Sequence, residues 1–128
     1  MIAGIGTDIV QTSRIKDMLE RHGAVFLERI FARSEAEASS GRADRSQFLA
    51  GRWAAKEAFS KALGTGIGKS CRWVEIVVAN DAKGKPVLTP VGVTAETLRA
   101  LGDDVRVHLS ISHETDYACA TVVIEKFL

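Results

Sequence analysis

The longest helical pattern in the sequence, from Asp44 to Leu63, constrains the fold more than any other feature. Apolar residues recur there at spacings of three and four, and they give one predicted helix a broad apolar side. Gly64 follows directly, and glycine commonly ends a helix because it adopts the left-handed backbone conformation at little cost. The pattern therefore predicts a helix that stops at Gly64; its apolar members are Phe48, Leu49, Trp53, Ala55, Phe59 and Ala62.

The chain before this helix predicts one strand and several short helices. Residues 1–10 have the pattern of a short strand that ends in a loop. Ser13 is a candidate N-cap for a helix with an apolar stripe at Ile15, Met18 and Leu19, and Gly23 ends that helix. Apolar residues repeat at helical spacing over 26–31. A capping-box pattern over 34–37 starts one more short helix.

The second half of the chain favours strands. Trp73–Ala79 is rich in β-branched residues, and a turn leads from it to a short returning strand, Lys85–Leu88. Thr94–Leu101 predicts a short helix. Val105–Ser112 alternates apolar and polar residues, which is typical of a half-buried strand. After a hairpin turn, Tyr117–Ile124 is continuously apolar and predicts a strand buried on both faces.

Together these elements predict an α+β fold in a single domain over residues 1–128, with the helices mainly in the first half and packed on an antiparallel sheet. The composition is that of a soluble globular protein, because 46% of the residues are apolar and 26% are charged. A formal net charge of +1 lacks the basic excess typical of nucleic-acid binders.

The sequence has no apolar stretch long enough to span a bilayer and no signal-peptide pattern, so we expect a cytoplasmic protein without a membrane partner. Cys71 and Cys119 are far apart and lack metal-site spacing. We therefore expect reduced thiols and no framework of disulfides.

Four polar residues interrupt apolar surroundings and are candidates for chemistry. Asp8 follows an apolar strand, Glu57 and Lys61 lie in the long helix, and His113 ends an alternating strand. Carboxylates from a strand end and a helix suit Mg²⁺, and an ammonium suits a phosphate. The ordinary alternatives are a capping aspartate, an exposed Glu57–Lys61 pair and a structural histidine. Spacing alone does not decide between them.

Two further patterns are compatible with an anion. Arg52, Lys56 and Ser60 share a neighbouring helical face, where a bound anion would relieve repulsion between the cations; a solvated face is the simpler interpretation. The glycine-rich loop at 64–68 is similar to phosphate-binding loops. It follows a helix instead of preceding one, so it fits neither a P-loop nor a dinucleotide-binding motif.

Four segments taken together resemble one family, the holo-[acyl-carrier-protein] synthases, which are the short bacterial type of phosphopantetheinyl transferase. They are Gly4–Val10, the helix and loop Phe48–Gly66, Gly84–Pro86 and Leu109–His113. The resemblance runs from the first residue nearly to the last, in the same order and with compatible spacing. The match is weak over 32–46 and 91–104, and nothing is transferred there. Thr7 and Trp53 differ from the residues that other members carry, and we expect neither to touch the chemistry.

The resemblance implies a 4'-phosphopantetheinyl transferase fold and a Mg²⁺-dependent enzyme that moves 4'-phosphopantetheine from coenzyme A to a serine of apo acyl carrier protein, in support of fatty acid biosynthesis. It implies a homotrimer with sites at subunit interfaces. Asp8 and Glu57 would hold the ion, and Lys61 would contact the transferred phosphate. The implied lining of the nucleotide and phosphate pocket is Arg52, Lys61, Gly64, Pro86, Ser112 and His113.

The first predicted helix carries the residues implied to bind the carrier protein. Arg14 and Arg21 are seven residues apart and project from nearly the same side of that helix, where they would face an acidic partner. An ordinary amphipathic surface helix is the alternative. A non-catalytic coenzyme A- or nucleotide-binding module and a purely structural oligomer are the rivals to the enzyme. A carboxylate-bound water, Glu57 or Asp8 would each fit as general base.

Overall fold

In the computed structural model, which describes residues 1–128, the two ends of the chain pair in one antiparallel sheet. Strand β1 is Ile2–Gln11, β4 is Asp104–His113 and β5 is Tyr117–Phe127. Their order across the sheet is β1–β5–β4, so the last strand lies between the first strand and its own hairpin partner. Asp8 is opposite Ala120 of the central strand.

Five helices are formed. Their bounds are Thr12–His22 for α1, Ala24–Ile30 for α2, Arg33–Ser39 for α3, Arg45–Leu63 for α4 and Gly92–Arg99 for α5. The prediction of the long helix is confirmed: Asp44 precedes α4, and Gly64 ends it with a φ of 87°. No helix combines the length and the apolar character that crossing a bilayer requires.

Two details of the helix starts were predicted wrongly. Helix α1 begins at Thr12, so Ser13 lies inside its first turn and is not the N-cap. The carboxylate at the start of α3 is Glu35, whose Oε1 accepts a hydrogen bond of 2.7 Å from the N–H of Ala32. Glu35 has a partner on the long helix, and that contact favours its position over the exposed Glu37.

The segment that reads as one strand from Trp73 to Ala79 divides in two. Trp73–Glu75 is a turn of 3-10 helix, closed by a hydrogen bond of 3.0 Å from the N–H of Glu75 to the carbonyl of Arg72. Strand β2, Ile76–Asn80, begins after it and pairs with β3, Pro86–Pro90, in a separate two-stranded sheet. β-branched content alone did not reveal the turn.

Two glycines of β1 let the long helix lie directly on the sheet. A Cβ atom at Gly4 would overlap the carbonyl oxygen of Ala62, and one at Gly6 would overlap that of Ala58. Any larger residue would push α4 away from β1. This close approach brings the second half of α4 beside Asp8 and so positions the candidate site.

Only one face of the three-stranded sheet is covered within the chain. Along β5 the residues that face α4 are buried, namely Ala118, Ala120, Val122 and Ile124. Cys119 and Thr121 alternate with them and are exposed. On β1, Ile5 and Ile9 are each 67% exposed on the same outer face. The prediction that β5 is buried on both faces is therefore wrong for the single chain, because side chains alternate across a strand and α4 covers one side.

Candidate active site

A carboxylate cluster, made of Asp8, Glu57 and Lys61, forms where β1 meets α4. The Nζ of Lys61 donates hydrogen bonds to the carbonyl of Thr7 at 3.0 Å and to Oδ1 of Asp8 at 3.2 Å. The ion-pair partner of Lys61 is thus Asp8, 53 residues away, and not its helical neighbour Glu57. A surface pair between Glu57 and Lys61 does not account for these residues.

Glu57 is half-buried beside the other two members of the cluster. Burial raises the pKa of its carboxyl, the negative charge of Asp8 raises that pKa further, and the cations Lys61 and Arg14 oppose the rise. Two carboxylates whose charges repel each other at short range gain from a cation placed between them. The cluster therefore favours a bound positive ion.

The donors in the cluster suit Mg²⁺. This ion commonly binds one or two carboxylates and completes its shell with water and substrate phosphates. No group of three or more His, Cys, Asp or Glu side chains in the chain could hold a metal. Asp8 and Glu57 accordingly fit an ion that also takes oxygens from a phosphate ligand, and Lys61 adds a donor for the same ligand.

Arg52 lies in a different place from the carboxylate cluster. Its guanidinium donates a hydrogen bond of 2.9 Å to Oδ1 of Asn80 and lies 4.1 Å from the ring centre of Phe48. Burial lowers the pKa of this side chain, and its Nε is buried without a partner. Nine residues separate Arg52 from Lys61, which is about 14 Å along the helix axis. Pro86 lies beside this position because it is paired with Asn80 across β2 and β3.

Ser112 and His113 end β4 near the first half of α4. Both side chains are exposed. The strand end lies close to α4, because a Cβ added at Gly51 would be 3.2 Å from Cγ2 of Ile111. The order β1–β5–β4 separates Ser112 and His113 from β1 by one intervening strand, so they lie about 10 Å across the sheet from the strand that carries Asp8.

The predicted pocket residues therefore form two groups within one chain. The first is the carboxylate cluster, with Gly64 one turn further along the helix. The second, which we call the Arg52 group, is Arg52, Pro86 and His113. Ser112 belongs to neither group, because its side chain lies on the opposite face of the sheet with Ile9 and Cys119. The structure does not bring the two groups together in a single chain.

Lys56 does not take part in an anion site. Its side chain and that of Glu35 are each 0% exposed and form a salt bridge of 2.7 Å. The Nζ also donates hydrogen bonds of 2.8 Å and 2.7 Å to the carbonyls of Trp73 and Ile76. The face that Arg52 and Lys56 share is therefore not solvated, and Lys56 is a structural anchor. Its position seven residues from both Leu49 and Leu63 is the sequence signal for burial.

Arg14 lies on the exposed side of α1 beside the carboxylate cluster. Its guanidinium carbon is 5.4 Å from the ring centre of Trp53, and its charge acts on Glu57. Arg21 is exposed on the same helix. The prediction that these arginines share an accessible face is consistent with this placement.

Known proteins match this chain over nearly its whole length. Residues 4–122 fit the family described as the 4'-phosphopantetheinyl transferase superfamily. Over 125 residues the chain is 48% identical to the holo-[acyl-carrier-protein] synthase of Dechloromonas aromatica, and the alignment covers 98% of each chain. The chain belongs to the holo-[acyl-carrier-protein] synthase family. It is therefore an enzyme of the phosphopantetheinyl transferase class, as the sequence motifs imply.

Solved structures of holo-[acyl-carrier-protein] synthases have the same fold. The enzyme from Neisseria meningitidis superimposes with a TM-score of 0.91 at 40% identity, covering 98% of this chain and 100% of that one. The enzyme from Bacillus anthracis, described as a complex with CoA (3',5'-ADP), gives a TM-score of 0.83 at 43% identity over 99% of each chain. The α+β prediction is confirmed.

Sequence reasoning missed the contact between Trp53 and Arg14, which lies next to the candidate active site. Trp53 packs against Trp73 with ring centres 4.6 Å apart, and the guanidinium carbon of Arg14 lies 5.4 Å from the Trp53 ring centre. The helical periodicity places Trp53 in the apolar core and gives no sign of a second contact. The sequence feature that could have indicated that contact is Arg14 on the neighbouring helix.

Proposed function

We propose that this chain transfers 4'-phosphopantetheine from coenzyme A to a serine hydroxyl of apo acyl carrier protein, giving holo acyl carrier protein and adenosine 3',5'-bisphosphate. Family membership over residues 4–122 supports the transfer class. The observation that carries the proposal is the carboxylate cluster, where two carboxylates and one ammonium meet at an accessible edge of the sheet.

In this reaction the serine oxygen forms a bond to the phosphorus that carries pantetheine, and the bond from that phosphorus to the leaving phosphate of adenosine 3',5'-bisphosphate breaks. Such a transfer needs positioning and charge neutralisation more than covalent help from the protein. Lys61 binds an oxygen of the transferred phosphate. Asp8 and Glu57 would hold Mg²⁺, which would supply neutralisation of the negative charge on the phosphate oxygens.

The serine proton leaves to a base in the same cluster. Glu57, with its raised pKa, and Asp8 are both placed to accept it directly or through a hydrogen-bonded water. The exchange of Lys61 from Asp8 to the substrate phosphate leaves Asp8 free to bind the ion, so substrate and ion binding support each other.

The assembly we propose is a homotrimer with its sites between subunits. One chain separates the carboxylate cluster from the Arg52 group, and it leaves Ile5 and Ile9 exposed on an uncovered sheet face. An exposed apolar sheet face favours contact with another protein surface. A neighbouring copy on that face could join its Arg52 group to the carboxylate cluster of the first.

Mixing two inactive variants tests this assembly. Asp8→Ala removes one group and Arg52→Gln the other, so each alone is expected to be inactive. After the two are denatured and refolded together in equal amounts, shared sites predict about a quarter of wild-type activity, because one site in four combines two intact groups. Light scattering should give the mass of a trimer. A monomer mass for a fully active sample would contradict the proposal.

The partner surface we propose is the exposed side of α1, with Arg14 and Arg21 facing the acidic carrier protein. We assign the reaction to the cytoplasm and to fatty acid biosynthesis, where carrier proteins receive this group.

A non-catalytic nucleotide-binding module is the alternative, and thermal unfolding separates the two. The enzyme requires Mg²⁺ and coenzyme A together to raise the melting temperature more than coenzyme A alone, because both occupy one cluster. An equal shift with and without Mg²⁺ would favour the module.

A further inference from the structure

Trp53 has an unusual position for a core residue of the long helix. Its side chain is only 7% exposed, and its ring lies near aromatic residues and a cation. The ring centres of Trp73 and Phe26 are 4.6 Å and 6.2 Å away. The guanidinium carbon of Arg14 lies over the same ring, 5.4 Å from its centre and within the range of a cation–π contact.

Arg14 forms no salt bridge and no side-chain hydrogen bond within the chain, although its charge acts on Glu57. It takes part in none of the six salt bridges, whereas Arg33, Arg42 and Arg106 each pair with a carboxylate. The contact with Trp53 is therefore what restrains this long side chain. An arginine that is held in place while its hydrogen-bond donors stay unused is prepared to bind a carboxylate from another molecule.

The ring beneath Arg14 is itself rigid. Trp73 packs against Trp53, and its backbone carbonyl accepts a hydrogen bond of 2.8 Å from the buried Lys56. Lys56 is in turn held by Glu35. This chain of contacts fixes the orientation of the indole, as a supporting layer of packed side chains fixes a functional group.

We propose that Trp53 is a positioning residue for the carrier protein: it holds the guanidinium of Arg14 at the rim of the carboxylate cluster, where Arg14 binds an acidic side chain near the serine that receives phosphopantetheine. The inference rests on the proposed function. It goes beyond it because the proposed function places Arg14 on the docking surface and gives Trp53 no role.

A double-mutant cycle on the full-length enzyme tests the coupling. Wild type, Trp53→Leu, Arg14→Gln and the double variant are compared in steady-state transfer, with carrier protein and coenzyme A varied in turn. Trp53→Leu is expected to raise the KM for the carrier protein about two- to fivefold, which is the effect of one exposed cation–π contact. In the Arg14→Gln background the same change should raise it no further, because the contact is already lost.

Arg21→Gln is the matched control. Arg21 is an exposed arginine of the same helix that contacts no aromatic ring. Its effect on the carrier-protein KM should multiply with that of Trp53→Leu. The KM for coenzyme A should stay within about a factor of two in every variant. This second constant is the check on specificity, since a general disturbance of α4 would raise both KM values.

Trp53→Phe keeps a ring and guards against a folding defect in Trp53→Leu. Phenylalanine binds cations less well than tryptophan, so this variant should recover part of the loss and should show an effect only when Arg14 is present. If Trp53→Leu does not fold, as judged by its melting temperature, Trp53→Phe carries the cycle alone.

Effects of Trp53 and Arg14 that multiply, or an equal rise in both KM values, would overturn the inference while leaving the proposed function in place. A wild-type enzyme that transfers nothing to the carrier protein would instead remove the proposed function on which the inference rests.

Discussion

Replacing Lys56 by methionine removes the charge that anchors the 3-10 turn to the long helix. Methionine is of similar length but cannot donate, so the carbonyls of Trp73 and Ile76 lose their partner and Glu35 is left as a buried charge. Removing one partner of a buried ion pair typically costs about 3–5 kcal/mol. Glu35 keeps hydrogen bonds of 2.7 Å and 2.8 Å from the N–H groups of Ala32 and Val78, which limits the loss.

We therefore expect Lys56→Met to lower the free energy of unfolding by about 4 kcal/mol, within the range for breaking a buried ion pair. Urea unfolding followed by tryptophan fluorescence measures this at one fixed protein concentration, since assembly also contributes to stability. The urea midpoint should fall by about 2 M or more. The double variant Glu35→Gln, Lys56→Met should recover part of the loss, because no buried charge remains.

Arg33→Gln is the control for this measurement. Arg33 and Glu37 also form a salt bridge, of 3.0 Å, but their side chains are 92% and 68% exposed. An exposed pair of this kind contributes less than about 1 kcal/mol. If Lys56→Met fell within about 1 kcal/mol of wild type, Lys56 would not be the anchor that its three contacts indicate.

Three further outcomes follow from the same structure. Asp8→Ala should abolish transfer while the circular dichroism spectrum stays native, since it removes an ion ligand and no core contact; full activity at saturating Mg²⁺ would exclude Asp8 from the site. Glu75→Gln should lower the melting temperature at pH 7 by more than at pH 3. Hydrogen bonds from the N–H and hydroxyl of Thr94 hold the pKa of Glu75 below its usual value, so its stabilisation is present at neutral pH and is lost as the pH falls through that lowered pKa. An equal difference at both pH values would contradict that role. Arg14→Glu should raise the KM for the carrier protein, most strongly at low salt, where repulsion of an acidic partner is least screened, and should leave the KM for coenzyme A almost unchanged. An equal rise in both KM values would remove α1 as the docking surface.

The sequence predicts the elements better than it predicts what covers them. The long helix was found almost to the residue, because nineteen residues of sustained periodicity end at a glycine in the left-handed conformation. The prediction of two-sided burial for Tyr117–Ile124 is wrong within a single chain, where α4 covers only one face. Apolar composition shows that a strand face avoids water, but it does not tell whether the chain itself or a neighbouring copy covers it.

The candidate site shows the same limit. The spacing of Glu57 and Lys61 favours a pair between them, yet Lys61 binds Asp8, which lies 53 residues earlier in the sequence. That contact depends on how closely β1 approaches α4, which Gly4 and Gly6 permit. Periodicity describes one element at a time, whereas the site depends on the distance between two.

Lys56 is the clearest case in which local chemistry misled. A lysine between Arg52 and Ser60 reads as part of a cationic face, and a lysine is rarely buried. Its partner Glu35 lies on the short helix α3, 21 positions earlier in the sequence, and only the fold brings the two side chains together.

Intact-mass spectrometry of an apo acyl carrier protein tests the central claim most directly. The carrier protein is incubated with this chain, coenzyme A and Mg²⁺, and an otherwise identical sample contains Asp8→Ala. Phosphopantetheine transfer predicts that the wild-type sample gains the mass of one phosphopantetheine group per carrier, that adenosine 3',5'-bisphosphate appears in equal amount, and that the carrier with its acceptor serine replaced by alanine gains nothing. An unmodified carrier protein in the presence of folded enzyme that binds coenzyme A would contradict the claim.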